Sequence, residues 1–327
     1  MFSSDRHSYD IVIVSPNGAL DSYYMLPDLE LASVNRATRV LHTAGGKGNN
    51  MARAATRLGG RVLSIGIVGG DSGRFIEKEL VREGIDRELV WADIETRRCS
   101  TLFVEGRRDT TVVLEVGQAV GEEARQDLTR RVLERSPKAP FVVMTGSLPP
   151  DFPADYYACL VEALSTTEVK VCIDSTGEAL RLAAQAGPFL IKVNRAEFCL
   201  AFGEPGVSFS QAFVERVYAD LGERGLKVLI ITDGPQGAYV LAPGQAPFQV
   251  ITQVDTWEST AGAGDTFMAG VLLALSRGET VKDAAKYASA AASANLQQIG
   301  CGFFDASQVG QFLELTSIRE WGGGGQL

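Results

Sequence analysis

In the stretch TAGAGDTFMAG (260–270) a single carboxylate, Asp265, stands among small residues where an apolar pattern begins. Phe267, Val271, Leu272 and Leu275 recur at helical spacing, so a helix starts around 262–265. Gly262, Ala263 and Gly264 then present backbone N–H groups with little side chain in the way, at the positive end of a helix dipole. Such a turn suits an anion, including a phosphoryl group in transfer. An aspartate in the same turn is expected to stay ionised, because the dipole favours negative charge. It could take a proton from a hydroxyl aimed at the same phosphorus. On this motif alone, a helix-start aspartate following a loop stays open as the plainer reading.

Two further glycine-rich stretches lie at 45–48 (GGKG) and 66–73 (GIVGGDSG). Neither fits G-x-x-x-x-G-K-[ST], and neither gives G-x-G-x-x-G after a strand, which disfavours a P-loop or an ordinary dinucleotide fold. GGKG taken singly is as compatible with a simple turn as with a binding loop.

Regular alternation of strands and helices must position these groups. Apolar, β-branched runs at 9–16, 61–70, 88–94, 140–146, 169–175, 188–194 and 227–234 read as strands. Helical segments fall near 48–60, 73–84, 122–135, 153–165, 178–186, 210–224 and 284–294. This order predicts a mostly parallel sheet with helices on both faces. Two strand-rich excursions, 17–43 and 97–116, interrupt the alternation and are expected to form a small β-sheet lid. The expected core is then 9–16, 44–96 and 117–310, with 320–327 as a flexible glycine-rich tail.

A chain of 327 residues with a net charge of -9 has no general basic face for a nucleic-acid backbone, although a local cluster could still bind a small anion. The five cysteines are scattered, with no C-x-x-C pair, which points to a reducing, cytoplasmic setting. The start MFSSDRHSYD has no apolar signal region, and no apolar run reaches the ~18–20 residues of a membrane span. His7 and His42 are too few for a histidine-rich metal site.

The segments TAGGKGNNMARAATRLG, GSLPPDFP, DSTGEAL, IKVNRAEF, TDGPQGA and TAGAGDTFMAG follow one another in this order. Together they resemble the PfkB branch of the ribokinase-like carbohydrate kinases, and within it the tagatose-6-phosphate kinase and 1-phosphofructokinase group. The resemblance spans about residues 9–307 and implies a ribokinase-like three-layer α/β/α domain carrying a small lid. It implies Asp265 as catalytic base, with Gly262, Ala263 and Gly264 as the anion hole. Asn194 and Glu197 match N-x-x-E, associated with Mg²⁺ (through water) and the phosphates of ATP. Thr232, Gly234 and Gly237 match the nucleotide loop, and Asn295, with Gly300, would lie near the purine. On the sugar side, the resemblance implies Asp21, Gly45, Gly46, Lys47 and Asn50. Lys47, Arg36 and Arg97 would hold a phosphate already on the substrate. Pairing of lids between subunits in this fold class implies a homodimer.

Three residues depart from the pattern. Val193 and Ala196 stand where relatives carry proline and an acid, and Asp233 stands where an apolar residue is usual. The leading expectation is an ATP- and Mg²⁺-dependent kinase of a ketohexose phosphate. The same fold acting on an unphosphorylated sugar or nucleoside is one alternative. A catalytically silent sensor of sugar phosphate or nucleotide is the other.

Overall fold

The computed structural model describes residues 7–106, 110–203 and 207–322. Seven parallel strands form the centre of the larger sheet: β1 (Ile11–Ser15), β4 (Val62–Val68), β5 (Asp86–Trp91), β8 (Phe141–Thr145), β9 (Lys170–Asp174), β10 (Leu190–Asn194) and β11 (Val228–Thr232). Three strands, β12 (Ala238–Leu241), β13 (Phe248–Thr252) and β14 (Thr316–Glu320), continue it antiparallel at one edge. The order is β14-β13-β12-β11-β10-β9-β8-β1-β4-β5. Four more strands make a separate sheet in the order β3-β2-β6-β7: β2 (Ala19–Leu26), β3 (Arg39–Gly45), β6 (Arg98–Val104) and β7 (Thr110–Leu114).

The central strands are mostly apolar because both faces are covered. Along β1, Ile11 and Ile13 enter one core while Val12 and Val14 enter the other, as a period of two requires. The first core is closed by α1 (Lys47–Arg57), α2 (Gly70–Arg82), α8 (Ala263–Ser276), α9 (Val281–Asn295) and α10 (Val309–Glu314). The second is closed by α3 (Glu122–Arg135), α4 (Tyr156–Leu164), α5 (Gly177–Gln185), α6 (Arg195–Phe202) and α7 (Gln211–Glu223). The result is a three-layer α/β/α fold with a small second sheet.

The sheet continues past residue 310, where the core was expected to end. Strand β14 pairs with β13 from Thr316 to Glu320, so residue 320 closes a strand and does not open a tail. Of the expected tail, residues 323–327 lie outside the described residues. Among the described residues, no helix is long and apolar enough to cross a membrane.

Parallel packing sends the carboxyl ends of the strands to one rim. Asp174, Asn194 and Thr232 are the last residues of β9, β10 and β11. Ligands of open α/β sheets gather outside such ends.

Candidate active site

Asp265 lies in the first turn of α8 and is buried. The first helical bond runs from the Thr266 N–H to the Gly262 carbonyl, so the Gly264 and Asp265 amides precede the ladder and point out of the helix end. Gly262 adopts φ +76°, and a Cβ there would come within 2.5 Å of the Cys301 backbone. A Cβ on Gly264 would fall 2.9 Å from the Lys192 ammonium. The small residues before Asp265 therefore have two physical causes, a left-handed turn against a neighbouring loop and a lysine beside the helix start.

The charges around Asp265 form one network. Lys47, the first residue of α1, places Nζ 2.7 Å from Asp174 Oδ1 and 3.3 Å from Glu197 Oε1. Lys192, inside β10, reaches Asp174 Oδ2 at 3.2 Å. Burial alone would raise the Asp174 carboxyl, but the two ammonium groups outweigh it and hold it below the ordinary carboxylate range. Burial likewise pulls down on Lys47, and Asp174, Glu197 and Asp265 more than reverse that, leaving it above an ordinary lysine. Asp265 moves the other way: burial first, then the Asp174 charge, push it up to about 6 against Lys47, Lys192 and an Asn50 hydrogen bond. The helix dipole was expected to keep this aspartate ionised; burial and a neighbouring carboxylate raise it to about 6, which still leaves it mostly ionised at pH 7.

Asn50 on α1 donates from Nδ2 to Asp265 Oδ2 at 3.0 Å and joins the helix start to the residues expected on the sugar side. Asp21, on β2, is buried and also pushed up to about 6 by burial, opposed by the Gly46 amide and by Arg53 and Arg97. Gly45 must lack a side chain, because a Cβ would come within 2.0 Å of the Asp21 carboxyl. Gly46 takes φ +82° as the N-cap of α1. Arg97 is held by the Asn17 carbonyl through Nε and Nη2 (3.2 and 3.0 Å) and by the Glu115 carbonyl through Nη1 (3.0 Å). A guanidinium has five N–H donors, so two remain to meet an anion.

Lys47 is not grouped with the arginines as expected. It was assigned with them to the substrate's own phosphate, yet Asp174 and Glu197 draw its ammonium to the ends of β9 and β10. Arg36 is exposed on the 27–38 connection and forms no described hydrogen bond to the other sugar-side residues.

On the opposite side of the helix start lies a cavity of about 500 Å³. Thr232, Gly234, Gly237, Trp257, Ala263 and Gly264 contribute to its wall. Gly237 has φ +76°, with the Val250 carbonyl 2.0 Å from the place of a Cβ. The α9 side of the cavity comes from Ser289, Ala292, Ser293 and Leu296. Asn295, expected to face a purine, is instead fully buried. Its Oδ1 accepts from the Gly302 N–H (2.8 Å) and Thr266 Oγ1 (3.3 Å), while Nδ2 donates to the Ala261 carbonyl (2.8 Å). It braces the turn before Asp265. Gly300 does not line the cavity either.

Asn194 and Glu197 form a capping box on α6: the Glu197 N–H donates to Asn194 Oδ1 (2.8 Å) and the Asn194 N–H to Glu197 Oε2 (2.9 Å). Glu197 keeps Oε1 for Lys47. Among the described residues no cluster of three His, Cys, Asp or Glu could cage a metal. The donor set that exists, one carboxylate oxygen beside an asparagine, fits Mg²⁺, which retains waters and takes phosphate oxygens. The departures also find places. Val193 is core in β10, and Ala196 is exposed on α6. Asp233 pairs with Arg195 at 3.1 Å, across neighbouring strands whose last residues are in register.

Asp174 and Lys192 were not identified from sequence, although both stood inside quoted motifs. The signal was a charge placed in an otherwise apolar parallel strand, where burial is expensive unless a partner is present.

The profile of the pfkB family carbohydrate kinases matches residues 12–307. The chain belongs to that family. Its members are kinases that phosphorylate a sugar hydroxyl, and the ribokinase-like fold described above is theirs. The chain is similar to phosphofructokinase-2 from Escherichia coli, solved with potassium, at 26% identity over 94% of this chain and 98% of that one, with a TM-score of 0.86. A possible 1-phosphofructokinase from Thermotoga maritima shares the fold at 21% identity, covering 95% and 99%, TM-score 0.85. Ribokinase from Arabidopsis thaliana, solved with ribose and ATP, does so at 20%, covering 94% and 99%, TM-score 0.72.

Proposed function

We propose that this kinase transfers the γ-phosphoryl group of ATP, with Mg²⁺, to a hydroxyl of a ketohexose phosphate such as tagatose 6-phosphate or fructose 1-phosphate. The observation that carries the reading is the position of one helix start. Ala263 and Gly264 line the 500 Å³ cavity, while Asp265 in the same turn accepts from Asn50 on the sugar side. A nucleotide in the cavity would bring its terminal phosphate to the amides, with the acceptor hydroxyl next to the carboxylate.

Asp265 takes the proton of the attacking hydroxyl, and a carboxyl near 6 is a stronger base than an ordinary aspartate while still ionised at neutral pH. The Gly264 and Asp265 amides, Lys192 and Lys47 are fixed donors for charge developing on the transferred group, the main means by which phosphoryl transfer is accelerated. Asp174 holds the two lysines in place. Mg²⁺, when bound, would neutralise nucleotide phosphate charge from beside Glu197 and Asn194. Asp21, Gly45, Gly46 and Asn50 orient the sugar, and Arg97, supplemented by Arg36, receives its phosphate. Movement of the small sheet over the sugar would exclude water and suppress ATP hydrolysis.

A second reading, the same chemistry on an unphosphorylated sugar, draws support from Lys47, which its partners hold at the reacting end. It leaves Arg97 as the main cation for a substrate phosphate. Initial rates of ADP release with tagatose 6-phosphate, fructose 1-phosphate and fructose 6-phosphate, beside free tagatose and fructose, separate the two. Faster turnover of the free sugars, or Arg97→Ala leaving KM for a sugar phosphate unchanged, refutes the first. The proposal extends to a homodimer paired through the small sheet. Its edge strand β7 exposes Val112, Val113 and Leu114, and Val40 on β3 is exposed too. An uncovered apolar edge of this kind invites pairing with a second sheet.

A further inference from the structure

Two residues past Asp21 on β2, Tyr23 projects from the same face of the small sheet. It is 1% exposed, in a small apolar cluster with Met25, Phe103 and Cys301, backed by Leu41, Ala261 and Ile299. That cluster joins the small sheet to the loop at 299–302, and the Tyr23 hydroxyl sits within it. Its oxygen accepts the Cys301 N–H at 3.2 Å, and its O–H faces Asp21 Oδ2 at 3.5 Å. The loop it reaches is the backing of the Asp265 turn. Cys301 lies so close to Gly262 that a Cβ there would be 2.5 Å from Cys301 Cα. The next residue, Gly302, donates to Asn295, which holds the Ala261 carbonyl.

We propose that the Tyr23 hydroxyl is a positioning group that ties the sugar-binding Asp21 to the turn carrying Asp265. The inference rests on the sugar-kinase reading above for its catalytic consequence, but the tie itself is geometric. A phenol oxygen has one proton to give and lone pairs to accept with, so this hydroxyl can serve the Asp21 carboxylate and the Cys301 amide at once. Any shift of β2 over a bound sugar is then passed to the loop against Gly262. The sugar side and the anion-binding turn adjust together and not separately.

Tyr23→Phe tests this with one atom removed. The ring still fills the cluster, while the Cys301 N–H loses its acceptor and the Asp21 carboxylate keeps the Gly46 amide but loses the phenol. The variant is expected to fold, to keep KM for ATP, and to lose roughly tenfold in kcat/KM for the sugar phosphate through both a lower kcat and a higher KM. In a second measurement that needs no turnover, amide hydrogen exchange of the 260–266 and 300–302 segments is expected to quicken, with exchange in the distant helices α3 to α5 unchanged. A lower melting temperature with unchanged kcat, KM values and local exchange would make Tyr23 merely structural and overturn the proposal. If the unmodified enzyme turned over no ketohexose phosphate while the variant still quickened exchange at 260–266, the tie would stand and the kinase reading would fall.

Discussion

Replacing Asp174 by asparagine separates the titration of Asp265 from every other group that titrates near it. With the carboxyl at about 6, Asp265 is roughly nine-tenths ionised at pH 7 and one-tenth at pH 5, whereas an ordinary aspartate would stay largely ionised at both. If its carboxylate is the base, activity should fall about tenfold over that interval. The wild-type profile alone is ambiguous, because Asp21 also stands at about 6 and a sugar phosphate loses its second proton near the same pH. The Asp174 charge raises Asp265 but is not among the causes acting on Asp21, and it leaves the substrate untouched. Asparagine keeps the shape and removes the charge. Lys192, almost fully buried, then loses its only carboxylate among the described ion pairs. Breaking such a pair destabilises by about 3–5 kcal/mol, so the melting temperature should drop by several degrees. Even if Lys192 gave up its proton in response, the direction would hold, because the effect of Asp174 on Asp265 exceeds that of Lys192. The acid limb should therefore move to lower pH. The assay is kcat and kcat/KM from pH 5 to 8 for both proteins, each scaled to its own pH 7 value. Asp174→Asn should retain a larger fraction of its activity at pH 5 than wild type. An equal or greater loss would show that the acid limb does not belong to Asp265.

Asp265→Asn should lose nearly all turnover yet gain heat stability at pH 7. Between pH 3.8 and about 6 the unfolded chain has released a proton that the folded chain keeps, so stability falls as pH rises through that window. Above it the buried charge costs about 3 kcal/mol, which asparagine relieves; melting at pH 7 and at pH 4 should show the gain only at the higher value. Gly264→Ala places a methyl 2.9 Å from Lys192 Nζ and should raise KM for ATP and lower kcat at least tenfold with little loss of melting temperature, and unchanged steady-state kinetics would count against the anion-hole role. Val113→Glu on the exposed edge strand should convert a dimer to a monomer in light scattering, and a wild-type monomer at working concentration would refute pairing through the small sheet.

What the sequence revealed, and what it hid, follows from range. The strands and helices were readable because their signals are local: β-branched apolar runs for the buried sheet, and a helical apolar stripe behind Asp265. The helix start was readable too, since small residues, a carboxylate and an apolar repeat are neighbours in the chain. Asp174 and Lys192 were not, because each is a lone charge at or near a strand end, and only the β8-β9-β10 neighbourhood turns them into a pair. The Asp233 substitution was opaque for the same reason. Its partner Arg195 becomes adjacent only when Asn194 and Thr232 pair across β10 and β11. Asn295 was placed near the purine by the resemblance alone. Its amide is taken up instead by Thr266, Gly302 and the Ala261 carbonyl, and Thr266 and Ala261 lie far from it in the sequence and meet it only in the fold. The antiparallel edge was missed because β13 (FQVIT) and β14 (TSIRE) mix polar with apolar residues and β12 has only four residues, so no continuous apolar run marks them as the runs of the parallel strands do.

The arrangement around Asp174 resolves a conflict that any site of this kind meets. Charge on a transferring phosphoryl group is best met by cations already in place. Yet the same cations, close to Asp265, lower its basicity and weaken it as a proton acceptor. Two lysines without a counter-charge would favour the first demand at the expense of the second, and would be costly to bury. Asp174 accepts both ammonium groups, one on each oxygen, and its own charge restores the basicity of Asp265. A phosphate arriving at the held Lys47 and Lys192 would share their charge with Asp174. Asp174 would then be less neutralised, and its repulsion of the Asp265 charge would grow. On this account the base strengthens as the phosphoryl group settles, so Asp174→Asn should reduce kcat more than it alters binding of ATP. Loss of ATP affinity with kcat preserved would reduce Asp174 to a scaffold for the lysines.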